Sequence, residues 1–279
     1  MCSSDLTGLI TYLTAQAYLD SEGAPRDGRR SIVIEPFTSA TIVDSLKGLF
    51  VPSDVIGKQY TKGMMGRDSA GANWYMDQNV VSQTFGSYSG KTLSVDTTSA
   101  SFGISTGWAQ TSTITLVASS SLTLNQGDTI QIAGVYGVNP QSRQSYGKLR
   151  NFVVTATTTV ATGGGTAVTV SPAIITGGQF QNVTVTSTAA SAVVTPFNNT
   201  GVTSPQNLVF HKNFATLATA DLELPDGVHF AGRASDKDLG LSIRVVRQYT
   251  INNDSIPTRL DVLYGWAPLY PELACRVAA

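Results

Sequence analysis

Thr113-Ile114-Thr115-Leu116-Val117 and, further on, Val183-Thr184-Val185-Thr186 alternate apolar and hydroxyl side chains one for one. Successive side chains of a strand point to opposite faces, so each run offers one face to a core and one to water. The β-branched residues in them suit a pleated, half-buried surface. Asn125-Gln126-Gly127-Asp128, Gly163-Gly164-Gly165 and Gly177-Gly178 punctuate the segment and supply turns with positive φ, the triple glycine reading as a hairpin tip. An antiparallel β-barrel or sandwich is predicted.

The limits of this segment show in its composition. From Lys91 to Gln206, 116 residues carry six charges (Lys91, Asp96, Asp128, Arg143, Lys148 and Arg150) and 37 Ser or Thr, whereas the other 163 residues hold 31 charges. Outside it the patterns change. Leu9, Ile10, Leu13 and Ala17 recur at helical spacing before Gly23 and Pro25, predicting a helix over Leu9 to Leu19 with that apolar face inward. Ser31-Ile32-Val33-Ile34 reads as a buried strand. Thr38 and Ser39 read as caps of a helix carrying Ile42, Val43, Leu46 and Leu49 and stopping near Pro52. Past the segment come the run Phe214-Ala215-Thr216-Leu217-Ala218, the Pro225-Asp226-Gly227 turn, and two strand candidates, Leu241 to Thr250 and Arg259 to Tyr264, joined through Asn252-Asn253-Asp254 as a closing hairpin. Two flanks of similar charge density around a charge-poor middle predict one α+β domain interrupted by an inserted β domain, since insertions succeed at exposed loops with adjacent ends.

At 279 residues the chain is large enough for one sizeable domain or two smaller ones. Its 18 basic and 19 acidic residues leave a net charge of −1, which argues against a free-standing nucleic-acid or anionic-lipid binder. No apolar stretch reaches spanning length. Cys2 and Cys275 sit at opposite ends, which suits neither a disulfide framework nor a metal site and makes a reducing compartment the default.

Candidate chemistry is sparse. His211 and His229 are the two histidines, and no Gly-x-Ser-x-Gly elbow, phosphate loop or His-Glu-x-x-His accompanies them. Asp221, Glu223 and Asp226, and the pair Asp236 and Asp238, lack the ordered spacing of a calcium loop and read as solvated turn charges. Arg26, Arg29 and Arg30 form a basic loop with Asp27 inside it, read as solvated or partner-facing. The sequons at Asn182 and Asn198 are expected by chance in a Thr-rich segment. Tyr264, Trp266 and Tyr270 read as packing under the core, with an interface anchor as the alternative. A non-enzymatic protein without cofactor or metal follows.

Gly127-Asp128-Thr129-Ile130-Gln131-Ile132-Ala133-Gly134-Val135, Val138-Asn139-Pro140, Gly147-Lys148-Leu149 and Phe152-Val153-Val154-Thr155-Ala156 resemble the inserted β domain of the major coat proteins of P-twenty-two-like short-tailed phages. Asn207 to Lys212, Leu222 to Pro225, Ser242 to Val246 and, most specifically, Asp261-Val262-Leu263-Tyr264-Gly265-Trp266 resemble the closing segments of that family.

The resemblance implies an HK-ninety-seven-like capsid fold with an inserted antiparallel β-barrel. It implies a first core part over 26–90, the insert over 91–206 and a second core part over 207–279. It further implies a structural subunit that self-assembles as hexamers and pentamers of an icosahedral shell in the host bacterial cytoplasm. Scaffolding and portal proteins would be its partners, and packaged DNA would be met only non-specifically. The polar loop Asn139 to Arg150 holds half of the insert's charges, so Arg143, Lys148 and Arg150 are the candidate inter-subunit contacts, a solubilising loop being the alternative. Members of the family begin with an arm, an extended loop and a spine helix. Only Leu9 to Leu19 matches the end of such a helix, and Met1-Cys2-Ser3-Ser4-Asp5-Leu6 reads like a translated sequencing adapter. An N-terminally truncated fragment is therefore expected, with residues 1–25 a remnant of the preceding helix. The alternatives are an extracellular β-rich adhesin module and, more remotely, a hydrolase built around His211 or His229.

Overall fold

The computed structural model describes residues 8–46, 70–96, 103, 107–186, 191–197, 200–236 and 240–278. The Met1 to Leu6 run, the end of the second helix at Leu49 and Pro52, the Asn198 sequon and Asp238 lie outside them.

The described elements begin with α1 (Leu9–Ser21), β1 (Arg30–Ile34), α2 (Pro36–Leu46), β2 (Asn73–Met76) and β3 (Ser82–Thr84). The charge-poor middle of the chain contributes β4 (Leu93–Val95), β5 (Ser112–Ala118), β6 (Leu122–Leu124), β7 (Thr129–Val138), β8 (Ser145–Val154), β9 (Thr158–Val160), β10 (Thr166–Ser171), β11 (Val183–Val185) and β12 (Val193–Pro196). After it come β13 (Thr203–His211), β14 (Ala215–Thr219), β15 (Phe230–Asp236), β16 (Leu241–Arg247), β17 (Thr258–Asp261), β18 (Tyr264–Pro268) and β19 (Ala274–Ala278). Two compact units result: residues 1–212 with 272–279, and residues 213–271.

In the first unit β13 lies between β1 and β19, antiparallel to both, and β2 adds parallel to β1. β3 pairs with the start of β13. Helix α1 covers this sheet, and Tyr12, Ala15 and Leu19 bury against Ile32, Ile34, Trp74, Val209 and Val277. The buried stripe differs from the expected one, since Ile10 and Leu13 are exposed and Thr11 and Gln16 are buried. Polar satisfaction explains the choice. Gln16 donates to the Ala70 carbonyl at 2.5 Å, and the Tyr12 hydroxyl accepts from Asn207, whose Oδ1 takes the Glu35 amide at 2.9 Å. Hydrophobic spacing alone does not see such bonds. α2 begins at Pro36, where a missing N–H costs nothing. Thr38, expected as a cap, lies inside the helix and donates back to the Glu35 carboxylate at 3.1 Å.

Six of these strands close into a ring. β7, β12, β4, β5, β10 and β8 form an antiparallel ring that returns to β7, a six-stranded barrel. Its interior is a continuous cluster of fully buried residues, among them Leu116, Leu124, Ile130, Ile132, Phe152, Val168 and Val170. Each comes from an alternate position of its strand, as the period-two pattern requires. The first and last barrel strands are neighbours, with Leu93 opposite Val194. Gly163 to Gly165 joins β9 to β10, but β9 pairs with β6, so the triple glycine is a crossing turn and no simple hairpin tip.

In the second unit β14 pairs with β18, and β16 lies between β15 and β17. The expected closing hairpin exists as β16 and β17, but it does not close the chain. Leu241 to Thr250 ends as a strand at Arg247, β18 leaves to pair with β14, and β19 returns to the first unit's sheet.

Candidate assembly interface

The longest ladder of the barrel ends in the loop singled out by its charge. β7 and β8 pair antiparallel with register shifts at Tyr136 and Val138, which twist the ribbon as bulges do. At its tip the Asn139 Oδ1 accepts the amides of Gln141 and Ser142 at 2.8 and 3.2 Å, and the Asn139 amide donates to the Gln144 carbonyl at 3.0 Å. This is an Asx-stabilised turn. Arg143 takes a left-handed φ of 55° and stays exposed, its guanidinium 3.5 Å from the Gln179 carbonyl. Lys148 is exposed as well.

Arg150 behaves differently. Its Nη1 lies 2.5 Å from Glu22 Oε1 just past α1, with side-chain exposures of 10% and 14%. The charge is spent within the chain. Tyr146 joins this pair, and burial pushes its hydroxyl above the ordinary tyrosine range. Tyr146 also lies over Gly137, where a Cβ would fall 1.9 Å from its hydroxyl oxygen. The ribbon is thus clamped at Arg150 against the residue that follows α1, with Arg143 exposed in its tip loop and Lys148 exposed on β8 two residues before the clamp.

A second clamp holds the opposite turn of the barrel. Asp128 is fully buried, and its Oδ2 accepts the Asn125 amide at 2.9 Å and the Gly86 amide at 3.1 Å. Burial raises its pKa above the ordinary carboxylate value, although those two amides and Arg276 pull it down. Arg276 on β19 donates to Gln83 Oε1 at 2.6 Å and to the Gly127 carbonyl. Gly86 has no room for a side chain, since a Cβ there would sit 2.1 Å from the Thr123 carbonyl oxygen. Of the insert's six charges, Asp128 and Arg150 are therefore the ones buried at its seam with the core. Nothing in the local sequence marks them, because Glu22, Gly86 and Arg276 are remote in the chain.

Several of the other singled-out groups are held by partners. Arg30, placed on a solvated loop by its sequence, is 1% exposed and donates to Asp20 at 2.6 Å and to the Pro25 and Ala24 carbonyls. A planar guanidinium can serve three acceptors at once, which is what permits its burial. Arg26 pairs with the same Asp20. His211 is buried with Nε2 3.1 Å from Asp27, and His229 accepts the Tyr249 amide at 3.1 Å. Asp221 faces Arg233 at 3.3 Å. Among the described residues no cluster of three metal-ligating side chains forms, and no helix is long and apolar enough to cross a membrane. Asn182 binds the Ile175 amide and the Ala173 carbonyl, so its amide is structural.

The aromatic run departs from expectation. Tyr264, Trp266 and Tyr270 are 61%, 70% and 61% exposed and do not pack under a core. The two ladders of residues 213–271 are too narrow to cover their own faces.

A family model described as P22 coat protein, gene protein 5, matches residues 13–276. No curated protein matches the chain. Among solved structures, the CUS-3 coat protein I-domain is 28% identical over 39% of this chain and 96% of that chain, with a TM-score of 0.26.

Proposed function

The chain belongs to the P22 coat protein family, and from that membership we propose that it is the major subunit of an icosahedral phage shell built on the HK-ninety-seven-like fold. It is a structural capsid protein whose copies self-assemble, and its place is the virion capsid. The proposal adds hexamers and pentamers as the assembly units, scaffolding and portal proteins as partners, non-specific contact with enclosed DNA, assembly in the bacterial cytoplasm and no catalytic role. The observation that carries it is the agreement of residues 13–276 with a coat-protein family.

Two physical features support the finer reading. A net charge of −1 spares closely packed copies the self-repulsion that strong charge would impose. Weak contacts repeated around a closed ring gain from effective concentration, so individually modest interfaces suffice. Arg143 and Lys148, carried on a ribbon clamped at Arg150, are the contacts we assign to a neighbouring capsomer. With Arg150 held by Glu22, that residue sets the ribbon's direction. Reversing both charges, Arg143→Glu with Lys148→Glu, should leave the subunit's melting curve in place and lower shell yield at least tenfold. Shells formed at wild-type yield would end this assignment.

Co-expression of the complete gene product with the adjacent scaffolding gene, viewed by negative-stain electron microscopy, tests the function itself. Uniform closed shells are expected. A folded subunit that stays monomeric beside its scaffold would overturn the reading.

A further inference from the structure

Residues 83–87, the end of β3 and the segment after it, meet residues 123–128, which lead from β6 into β7, through polar bonds. Gln83 Nε2 donates to the Gln126 carbonyl at 2.9 Å, Asn125 Nδ2 to the Thr84 carbonyl at 3.0 Å and the Ser87 amide to the Thr123 carbonyl at 3.0 Å. The Gly86 amide completes the set at 3.1 Å from Asp128 Oδ2. Such a seam opens locally more readily than an apolar interior, because water replaces each partner. At its middle sits a carboxyl group that water does not reach. Asp128 is 0% exposed, its Oδ2 takes both the Asn125 and Gly86 amides, and its Oδ1 accepts no hydrogen bond from the protein.

We propose that this seam is a proton-operated latch, in which neutral Asp128 holds residues 123–128 of the barrel side against residues 83–87 and ionised Asp128 lets the two strips part. Both strips belong to one chain, so the latch stands whether or not the chain builds shells. A neutral carboxyl keeps Oδ2 as acceptor for both amides and has one O–H to place, whereas an ionised one leaves charge on an oxygen that meets no donor. An uncompensated buried charge costs far more than an unpaired hydroxyl. Parting of the strips brings Oδ1 to water, so ionisation favours the open seam. Among the described residues, the titratable groups that act on Asp128 are Arg276 from β19 and Tyr88 from the segment beyond Gly86. Arg276 draws the carboxyl toward ionisation, yet it bonds Gln83 Oε1 and the Gly127 carbonyl and leaves Oδ1 unmet. Tyr88 stays a neutral phenol, since burial and the nearby Asp128 both raise its hydroxyl. Gly86, Thr123 and Val154, which pack on the turn from the other sides, carry no titratable group. Burial outweighs Arg276 and the two amides and raises the carboxyl above its ordinary range. The latch is therefore closed below the ordinary carboxylate value and releases as pH rises through the raised one.

Hydrogen–deuterium exchange on the full chain, read as protection relative to the unfolded chain at each pH, tests this from about pH 4 to about pH 8. Across that range the amides of residues 83–87 and 123–128 should lose at least fivefold in protection, while β5 and β10 keep theirs. Asp128→Asn, whose carboxamide still accepts both amides and carries no charge, should hold the seam protected throughout. A flat profile in the parent chain, a loss shared equally by β5 and β10, or a loss that persists in Asp128→Asn would overturn the inference. If Asp128→Asn fails to fold, the carboxyl carbon shift of Asp128 in the parent chain decides, because its proton must leave as the seam opens. A midpoint that coincides with the loss of protection supports the latch, and one displaced by more than about one pH unit would overturn it.

Discussion

The barrel and residues 213–271 are both almost wholly β, yet one encloses its apolar side chains and the other displays them. In the barrel, six strands close a ring around Leu116, Ile130, Phe152, Val168 and their neighbours. In the later segment, a two-stranded and a three-stranded sheet leave Phe230, Leu260 and Trp266 in solvent. Strand propensity is similar in both, so propensity does not decide stability. Closure does, because burial contributes about 25 cal/mol for each Å² of apolar surface removed from water.

The sharpest way to break this comparison is to truncate one phenylalanine in each region. Phe152→Ala, at a fully buried site, should cost about 3–5 kcal/mol in urea unfolding. Phe230→Ala, at a site 55% exposed, should cost less than about 0.5 kcal/mol in the dissociated subunit. Equal losses would mean that the two regions share a hidden core. Next in size, Arg150→Met leaves the Glu22 carboxylate buried without its partner. It should destabilise the first unit by about 3 kcal/mol, read from the same unfolding curves. A neutral result would remove the clamp from the ribbon.

The smallest effect concerns Asp128, whose folded pKa lies above its unfolded value. Between those two values the folded chain holds more protons than the unfolded chain, so Asp128 makes stability fall as pH rises through that window, upward from about pH 4. Asp20 acts in the opposite sense. Arg26, and with it Arg30, lowers its pKa, so the stability it contributes is present above the ordinary carboxylate value and lost as pH falls. Urea midpoints across a pH series should show the decline attributed to Asp128 flattened in Asp128→Asn, with the acid-side loss retained. An unchanged profile would place the titration elsewhere.

Strands whose neighbours are apolar were readable from the sequence, as Thr113 to Val117 within β5 and Val183 to Val185 as β11 show. Period-two alternation is a local signal, and β5 and β10 obey it, whereas β7 changes phase between Ile132 and Val135, where its ladder with β8 shifts register. What escaped were decisions made by distant partners. Gln16 is buried because the Ala70 carbonyl receives it, and Arg30 because Asp20 and two carbonyls surround it. Arg150 reads as a free loop cation until Glu22 is brought beside it. The Tyr264 to Tyr270 run is apolar enough for a core, yet on its two-stranded sheet Tyr264, Trp266 and Tyr270 stand exposed. Of the candidate loop contacts, Arg143 and Lys148 were legible as exposed charge in a polar stretch, and no remote carboxylate pairs with either among the described residues, Arg143 reaching only the Gln179 carbonyl.

The pairing of Leu93 with Val194 makes the first and last strands of the barrel adjacent hydrogen-bonded neighbours. A domain attached through two adjoining strands can be exchanged as a cassette. The rest of the chain then meets the same pair of tether points, provided the replacement also supplies partners for Glu22, Gly86 and Arg276 at the seam. For a gene lineage this makes the barrel a module open to recombination, and for an engineer it marks a graft site at which guest sequences could be shown on an unaltered shell.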